Sequence, residues 1–245
     1  MKIKKIVPNS FKRILWRIYD LYMYFEFKDL SNIKIFQKIY HDNLWGKDNN
    51  SNYYSGEGSR DLYIIENYIF GIRTLLTRLG KNESLNCVDL GCGDFNIGSK
   101  IFNYFETYTA VDIVPELIEY NSSKFRNKAL NFKCLDICKD ELPDGNFVIL
   151  RQVFQHLSNE NISQVLEKIT KKYKYLLISE HLPAGKFLAN LDKIPGPTIR
   201  LSIGRNGSGV VITEPPFNMR FEREEIISEV YSGNSVIKTV LYIIS

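Results

Sequence analysis

The stretch that most constrains this chain is Leu85-Asn86-Cys87-Val88-Asp89-Leu90-Gly91-Cys92-Gly93-Asp94-Phe95-Asn96-Ile97-Gly98: an apolar run, a glycine turn between two acids, and the start of a helical pattern. A strand, a tight loop and a helix start bring backbone close to a nucleotide-like ligand at the carboxyl end of the strand. The glycines fall as Gly91-x-Gly93 and then Gly98, which misses the Gly-x-Gly-x-x-Gly spacing of dinucleotide binders. Asp89 and Asp94 bracket the turn, and carboxylates this close repel a pyrophosphate. A second apolar run, Thr109 to Ile113, carries Asp112 nineteen positions after Gly93. That is near the spacing of a carboxylate that accepts from both ribose hydroxyls. A third run, Asn131 to Ile137, ends around Asp136.

With three strand-end acids in this order, Leu85 to Glu180 resembles the class I S-adenosylmethionine-dependent methyltransferases. The resemblance implies an α/β, Rossmann-like, mostly parallel sheet with helices on both faces. It also implies S-adenosylmethionine as cofactor, a molecule without phosphate whose sulfonium and ammonium suit acidic surroundings. Asp89, Gly91, Cys92, Gly93, Asp94, Asp112, Ile113, Asp136 and Ile137 are then cofactor candidates, with Asp136 as acceptor for the adenine amino group. Upstream, Trp45-Gly46 and Ser55-Gly56-Glu57-Gly58-Ser59 are similar to segments of methyltransferases encoded in bacterial surface-polysaccharide clusters. Such a loop before a helix presents backbone N–H groups to an anion. The cofactor's carboxylate is the expected target, which adds Trp45, Ser55, Gly56, Gly58 and Ser59 to the set. Gln152, after the fourth strand, joins them.

The 245 residues, 44% hydrophobic and 24% charged, suit one soluble α/β domain with an addition. We read residues 1–60 as a helical extension with a cofactor-covering loop. Residues 61–245 are the catalytic domain, with an insertion around 183–217. Leu62, Ile65, Ile69, Ile72, Leu75, Leu76 and Leu79 mark a helix from Asp61 that ends at Gly80. Ile97 to Phe105, Pro115 to Phe125 and Ile162 to Thr170 read as further helices. Phe147 to Leu150 and Tyr175 to Ser179 read as strands four and five, and Val236 to Ile244 as one closing strand.

Through Lys38 the chain holds nine basic residues against three acidic ones, which leaves −2 of the net +4 for the remainder. That balance argues against a nucleic-acid-binding catalytic domain. Phe11 to Phe27 reads as one aromatic helix capped by Ser10, with too many charges for a membrane span and no cleavage site of a signal peptide. Its expected role is packing on the domain or a second subunit, with docking to an anionic membrane as the alternative. Cys87, Cys92, Cys134 and Cys138 form no Cys-x-x-Cys pair, so reduced thiols in a cytoplasmic enzyme are expected, without metal.

Methyl transfer is an in-line displacement that mainly needs alignment, plus a base when the nucleophile is a hydroxyl. His156 and His181 follow strands four and five and are the catalytic candidates, since a histidine of near-neutral pKa suits an alcohol. In the resembled family the end of strand four abuts the methyl group, which favours His156. Arg200 and Arg205, with Gly207-Ser208-Gly209, are candidates for a phosphate or acidic sugar. The expected activity is O-methylation of a small polar, phosphorylated or sugar-derived precursor in surface-polysaccharide biosynthesis, on a hydroxyl or on a phosphate or phosphoramidate oxygen. N-methylation and a non-catalytic assembly partner are the alternatives.

Overall fold

The computed structural model describes Tyr19 and residues 21–244 other than 50, 82 and 205. A seven-stranded sheet runs β3-β2-β1-β4-β5-β7-β6. The strands are β1 (Asn86–Leu90), β2 (Thr107–Asp112), β3 (Leu130–Cys134), β4 (Phe147–Arg151), β5 (Tyr175–Pro183), β6 (Arg223–Ser232) and β7 (Ser235–Ile243). The first five are parallel, and β7 lies antiparallel between β5 and β6. This is the Rossmann-like, mostly parallel α/β sheet that the resemblance implies. β1 and β4 turn back on either side of the same sheet position, which opens a crevice at their carboxyl ends.

Alternation along the strands divides the core between the two faces. Val88, Leu90, Val148, Leu150, Leu176 and Ile178 meet the buried stripe Ile162, Val165, Leu166 and Ile169 of helix α5 (Asn159–Lys172). Cys87, Phe147, Ile149, Tyr175 and Leu177 meet Tyr68, Ile72, Leu75 and Leu76 of helix α3 (Leu62–Leu79). Strands buried on both faces explain the near-continuous apolar runs of the sequence. Both helices are capped as their sequences suggest: Asp61 accepts from Ile64 N–H at 3.1 Å, and Ser158 from Asn161 N–H at 3.2 Å. Ahead of the sheet, a helix over residues 21–27 (α1) and helix α2 (Asn32–His41) enclose a small core. Met23 and Phe27 there face Ile35 and Ile39, with Trp45 and Ile194 against them. Of the expected helix Phe11 to Phe27, the part before Tyr19 lies outside the described residues.

Three local expectations are corrected. Two strands follow β5 rather than one. β6 escaped the periodicity because it is an edge strand with Glu224, Glu225 and Glu229 along it, only Val230 fully buried, and a register shift at Ile226/Ser228. Its hairpin turn is Gly233-Asn234, with Gly233 at φ 58°, a two-residue signal of the type such turns require. β5 continues past Ser179 to Pro183, paired throughout with β7, so Glu180 and His181 lie in the strand rather than after it. The helix at Ile97 to Phe105 shrinks to Gly98–Ile101 (α4) and one tighter turn, because Glu106 N–H already bonds Leu85 O and starts β2.

Candidate active site

The turn after β1 is glycine for two reasons. Gly91 and Gly93 have φ of 80° and 56°, and the N–H groups of Gly91 and Cys92 both donate to Val111 O, at 2.8 and 2.9 Å. A Cβ on Gly91 would stand 2.5 Å from Val153 Cγ2, and one on Gly93 2.5 Å from Ser55 Oγ. Phe95 also holds a positive φ, 59°, fixed by its fully buried ring among Phe102, Tyr108, Phe125 and Phe132.

Every cofactor candidate named above borders one cavity of about 1210 Å³. Within it Asp89 accepts from Tyr108 O–H at 2.8 Å, and burial lifts its carboxyl to about 7. Asp112 accepts from the N–H of Gly93 at 3.0 Å and of Val114 at 3.2 Å. Burial raises it to about 6, and these backbone donors limit the rise. Asp136 accepts from Cys138 N–H at 3.0 Å. Asp94 differs: its carboxylate takes Ser55 N–H and the Arg60 guanidinium at 2.7 Å, while Ser55 Oγ accepts from Asp94 N–H. Its work is to pin the Ser55–Ser59 loop against the glycine turn.

Arg151, at the end of β4, reads from the sequence as a cofactor or loop contact, and it lines the cavity. Its guanidinium sits over the Tyr68 ring at 5.0 Å, donates to Gly58 O at 2.6 Å and to Gln152 Oε1 at 3.3 Å. Its Nε is buried without a partner. Arg151 is the one Lys or Arg among the described residues lining the cavity. Gln152 turns the chain there with φ 57°, its N–H on Ser179 O at 2.7 Å, and a side chain on Gly58 would collide with it.

Beyond the end of β4 the cavity continues between both histidines. His156 ends a tight turn, Phe154–His156, and its ring lies 4.9 Å from that of Trp45. A carbonyl only accepts, so Nδ1 carries the proton donated to Gly196 O at 3.2 Å, and Nε2 accepts from Gln155 Nε2 at 3.2 Å. Burial, then the nearby Lys193 charge, depresses His156 to about 3. The near-neutral value expected of it is thereby corrected, and the imidazole is neutral at every ordinary pH. His181, lowered by burial, pairs with Ser235 Oγ at 2.8 Å. Trp45 Nε1 donates to Pro197 O at 3.1 Å and joins the N-terminal helices to the segment after β5.

Arg200 is a correction. It is 1% exposed and does not border the cavity. Its guanidinium donates to Leu191 O, Phe154 O, Leu157 O and Asn159 Oδ1 at 2.7–3.1 Å. It clamps the turn that carries His156, spends four of its five N–H donors there, and is buried away from the cavity where an acceptor phosphate would lie. Arg205 lies outside the described residues. Glu180, buried and lifted to about 8 by that burial, supports the same turn by accepting from Phe154 N–H at 3.0 Å.

Residues 88–174 match the family model of a methyltransferase domain. A sterol 4-C-methyltransferase of Caenorhabditis elegans is 25% identical over 115 residues, 45% of this chain and 32% of that protein. The matched part thus spans about a third of that relative's length. Among solved structures, human N-acetylserotonin methyltransferase in complex with S-adenosylmethionine superposes with a TM-score of 0.56 at 15% identity, covering 96% of this chain and 67% of that one. An N-methyltransferase of Bradyrhizobium japonicum in complex with S-adenosylhomocysteine gives 0.54 at 10% identity, over 77% and 91%. Magnesium protoporphyrin IX methyltransferase of Synechocystis gives 0.53 at 14%, over 87% and 98%. At these identities the structures show the fold alone, and the family match covers residues 88–174.

Proposed function

We propose that this methyltransferase domain binds S-adenosylmethionine and transfers its methyl group to a hydroxyl oxygen of a small, uncharged, sugar-derived acceptor. The observation that carries the reading is one continuous cavity, about 1210 Å³, with the three strand-end acids at one end and the two histidines beyond them. Single-ligand pockets span roughly 300–1,000 Å³, so this one has room for donor and acceptor together.

The donor set fits the cofactor. Asp89 beside Arg151 offers a carboxylate and a cation to the ammonium and carboxylate of an α-amino acid, and the unpartnered Nε of Arg151 is a donor still to be satisfied. Asp112 would accept from the ribose hydroxyls and Asp136 from the adenine amine. When bound, the cofactor supplies a methyl group on a positively charged sulfur. The chain's own residues hold the two reactants in line and exclude water. Neutral His156 is too weak a base to take a proton early from an alcohol, so the hydroxyl proton is released late to bulk solvent as the O–C bond forms, and His156, with both ring nitrogens bonded to protein, shapes the acceptor space together with Trp45.

Gln155, Thr198, Ser202, Asn206 and Ser232 line the cavity among Phe36, Trp45 and Tyr68. Amides and hydroxyls interspersed with aromatic rings suit a polyhydroxylated molecule. With Arg200 spent on backbone carbonyls and Asn159, little in the lining favours a phosphate among the described residues. The resemblance carried by Trp45-Gly46 and Ser55 to Ser59 supports a precursor of surface polysaccharide as the acceptor. Titration calorimetry with S-adenosylmethionine and with NAD tests the donor, and tighter binding of NAD overturns the assignment. Mass spectrometry of nucleotide-free sugar pools incubated with enzyme and donor tests the acceptor. A methyl gain only on amines or phosphorylated species refutes the hydroxyl reading.

A further inference from the structure

Helix α1 is apolar on the side that faces away from the protein. Met23 and Phe27, four positions apart, are buried against α2. On the opposite arc Leu21 is 57% exposed, Tyr22 57%, Tyr24 46% and Phe25 62%. Four large side chains left in water on two helical turns are not scattered surface residues but a contiguous patch. The ammonium of Lys28 lies 5.5 Å from the Phe25 ring at the edge of this patch.

The sequence beside the patch states what covers it. Residues 1–17 carry Lys2, Lys4, Lys5, Lys12, Arg13 and Arg17 and no acid. With nine basic residues against three acidic ones through Lys38, this part of the chain repels a second copy of itself and is attracted to an anionic surface. An anionic bilayer surface accepts both parts at once: the cations meet lipid phosphates, and aromatic and leucine side chains enter the boundary between headgroups and acyl chains. No helix among the described residues is long and apolar enough to cross a membrane, so the contact is peripheral. From these observations we infer that the protein docks on anionic membrane through the exposed face of α1 and the basic residues before it. The same N-terminal helices border the cavity through Tyr19, Asn32 and Phe36, so docking holds the acceptor end of the site near the lipid surface.

The test is co-sedimentation of the full chain with vesicles of phosphatidylcholine, with and without phosphatidylglycerol. Binding is expected only to the vesicles with phosphatidylglycerol and is expected to weaken in high salt. Two variants, Leu21→Asp with Phe25→Asp, and Lys4→Glu with Lys5→Glu and Lys12→Glu, should each lower partitioning by about tenfold or more. Calorimetric binding of S-adenosylmethionine should stay as in the parent, which shows that the variants are folded. Equal partitioning onto neutral vesicles, or none onto either kind, overturns the proposal. If instead sedimentation velocity shows a dimer that Leu21→Asp with Phe25→Asp dissociates, the face belongs to a second copy.

Discussion

Replacing Arg200 by Met keeps most of its volume and removes all of its donors. The four hydrogen bonds that it makes reach three backbone carbonyls and Asn159; three of them hold the segment Phe154 to Asn159, and the fourth ties Leu191 to it. Hydrogen bonds from a charged donor contribute about 1.5–3 kcal/mol each, and an acceptor left buried without a partner costs about 1–3 kcal/mol. Against that stands the relief of no longer burying a guanidinium, several kcal/mol in the same setting. The lost bonds outnumber the single charge. The expected net loss is therefore about 3–5 kcal/mol, in the range found when one partner of a buried charged network is deleted. Urea unfolding at constant m-value measures it. At temperatures where the variant is folded, acceptor KM and donor affinity should lie within about twofold of the parent. A stability loss below about 1 kcal/mol together with a raised acceptor KM would refute the clamp and return Arg200 to the acceptor site.

Glu180 holds its proton in the folded state up to about 8, far above its ordinary 4.5, so it contributes most below the lower value, and that contribution is lost as pH rises through the window. Glu180→Gln should flatten the decline in urea stability across that range, and an unchanged slope would locate the linkage elsewhere. Asp89, raised to about 7, meets the donor's ammonium best when ionised, so calorimetric affinity should climb from about pH 5.5 to 7 by up to roughly tenfold per unit and lose most of that slope in Asp89→Asn. Asp112→Ala should weaken donor binding by about 1–3 kcal/mol through poorly paired ribose hydroxyls, and unchanged affinity would place the ribose elsewhere. His156→Ala should lower kcat by roughly 10–100-fold through misplacement, with a pH–rate profile flat from about 5 to 8 in the parent. An inflection near the ordinary histidine value that vanishes in this variant would restore the base role.

The sheet was legible where strands are buried on both faces. Val88, Leu90, Val148, Leu150, Leu176 and Leu177 give short apolar runs that only a covered parallel sheet accommodates, and Gly91 and Gly93 mark the turn. β6 was not legible because an edge strand carries charges on purpose: Glu224, Glu225 and Glu229 blunt pairing with other chains and at the same time hide the alternation. Gly233-Asn234 was the available signal. The three acids were legible for a related reason, since Asp89 lies one residue before the end of β1, Asp112 ends β2 and Asp136 stands two residues past β3. Asp94 shows the limit of that reasoning: its position in the turn was right, but its partners Ser55 and Arg60 lie more than thirty positions away.

The two arginines show why side-chain roles at the site resisted the sequence. Arg200 follows a proline- and glycine-rich stretch, the composition of a solvated loop, and that context suggested a free guanidinium. It is instead bound to carbonyls 43 and 46 positions upstream, because the turn at Phe154 to Leu157 leaves acceptors that a long, five-donor side chain reaches from the opposite wall. Arg151 ends a buried strand, where a charge is costly, yet it faces the ligand space beside Asp89. A cation is tolerated there because Tyr68 covers one side of it, Gly58 O and Gln152 Oε1 take two donors, and Asp89 and Asp94 offset its charge. Neither arrangement follows from local spacing. Each is set by which backbone oxygens the folded chain leaves unsatisfied, and an arginine in the wall of this cavity is thus fixed by carbonyl supply before it is available to a ligand.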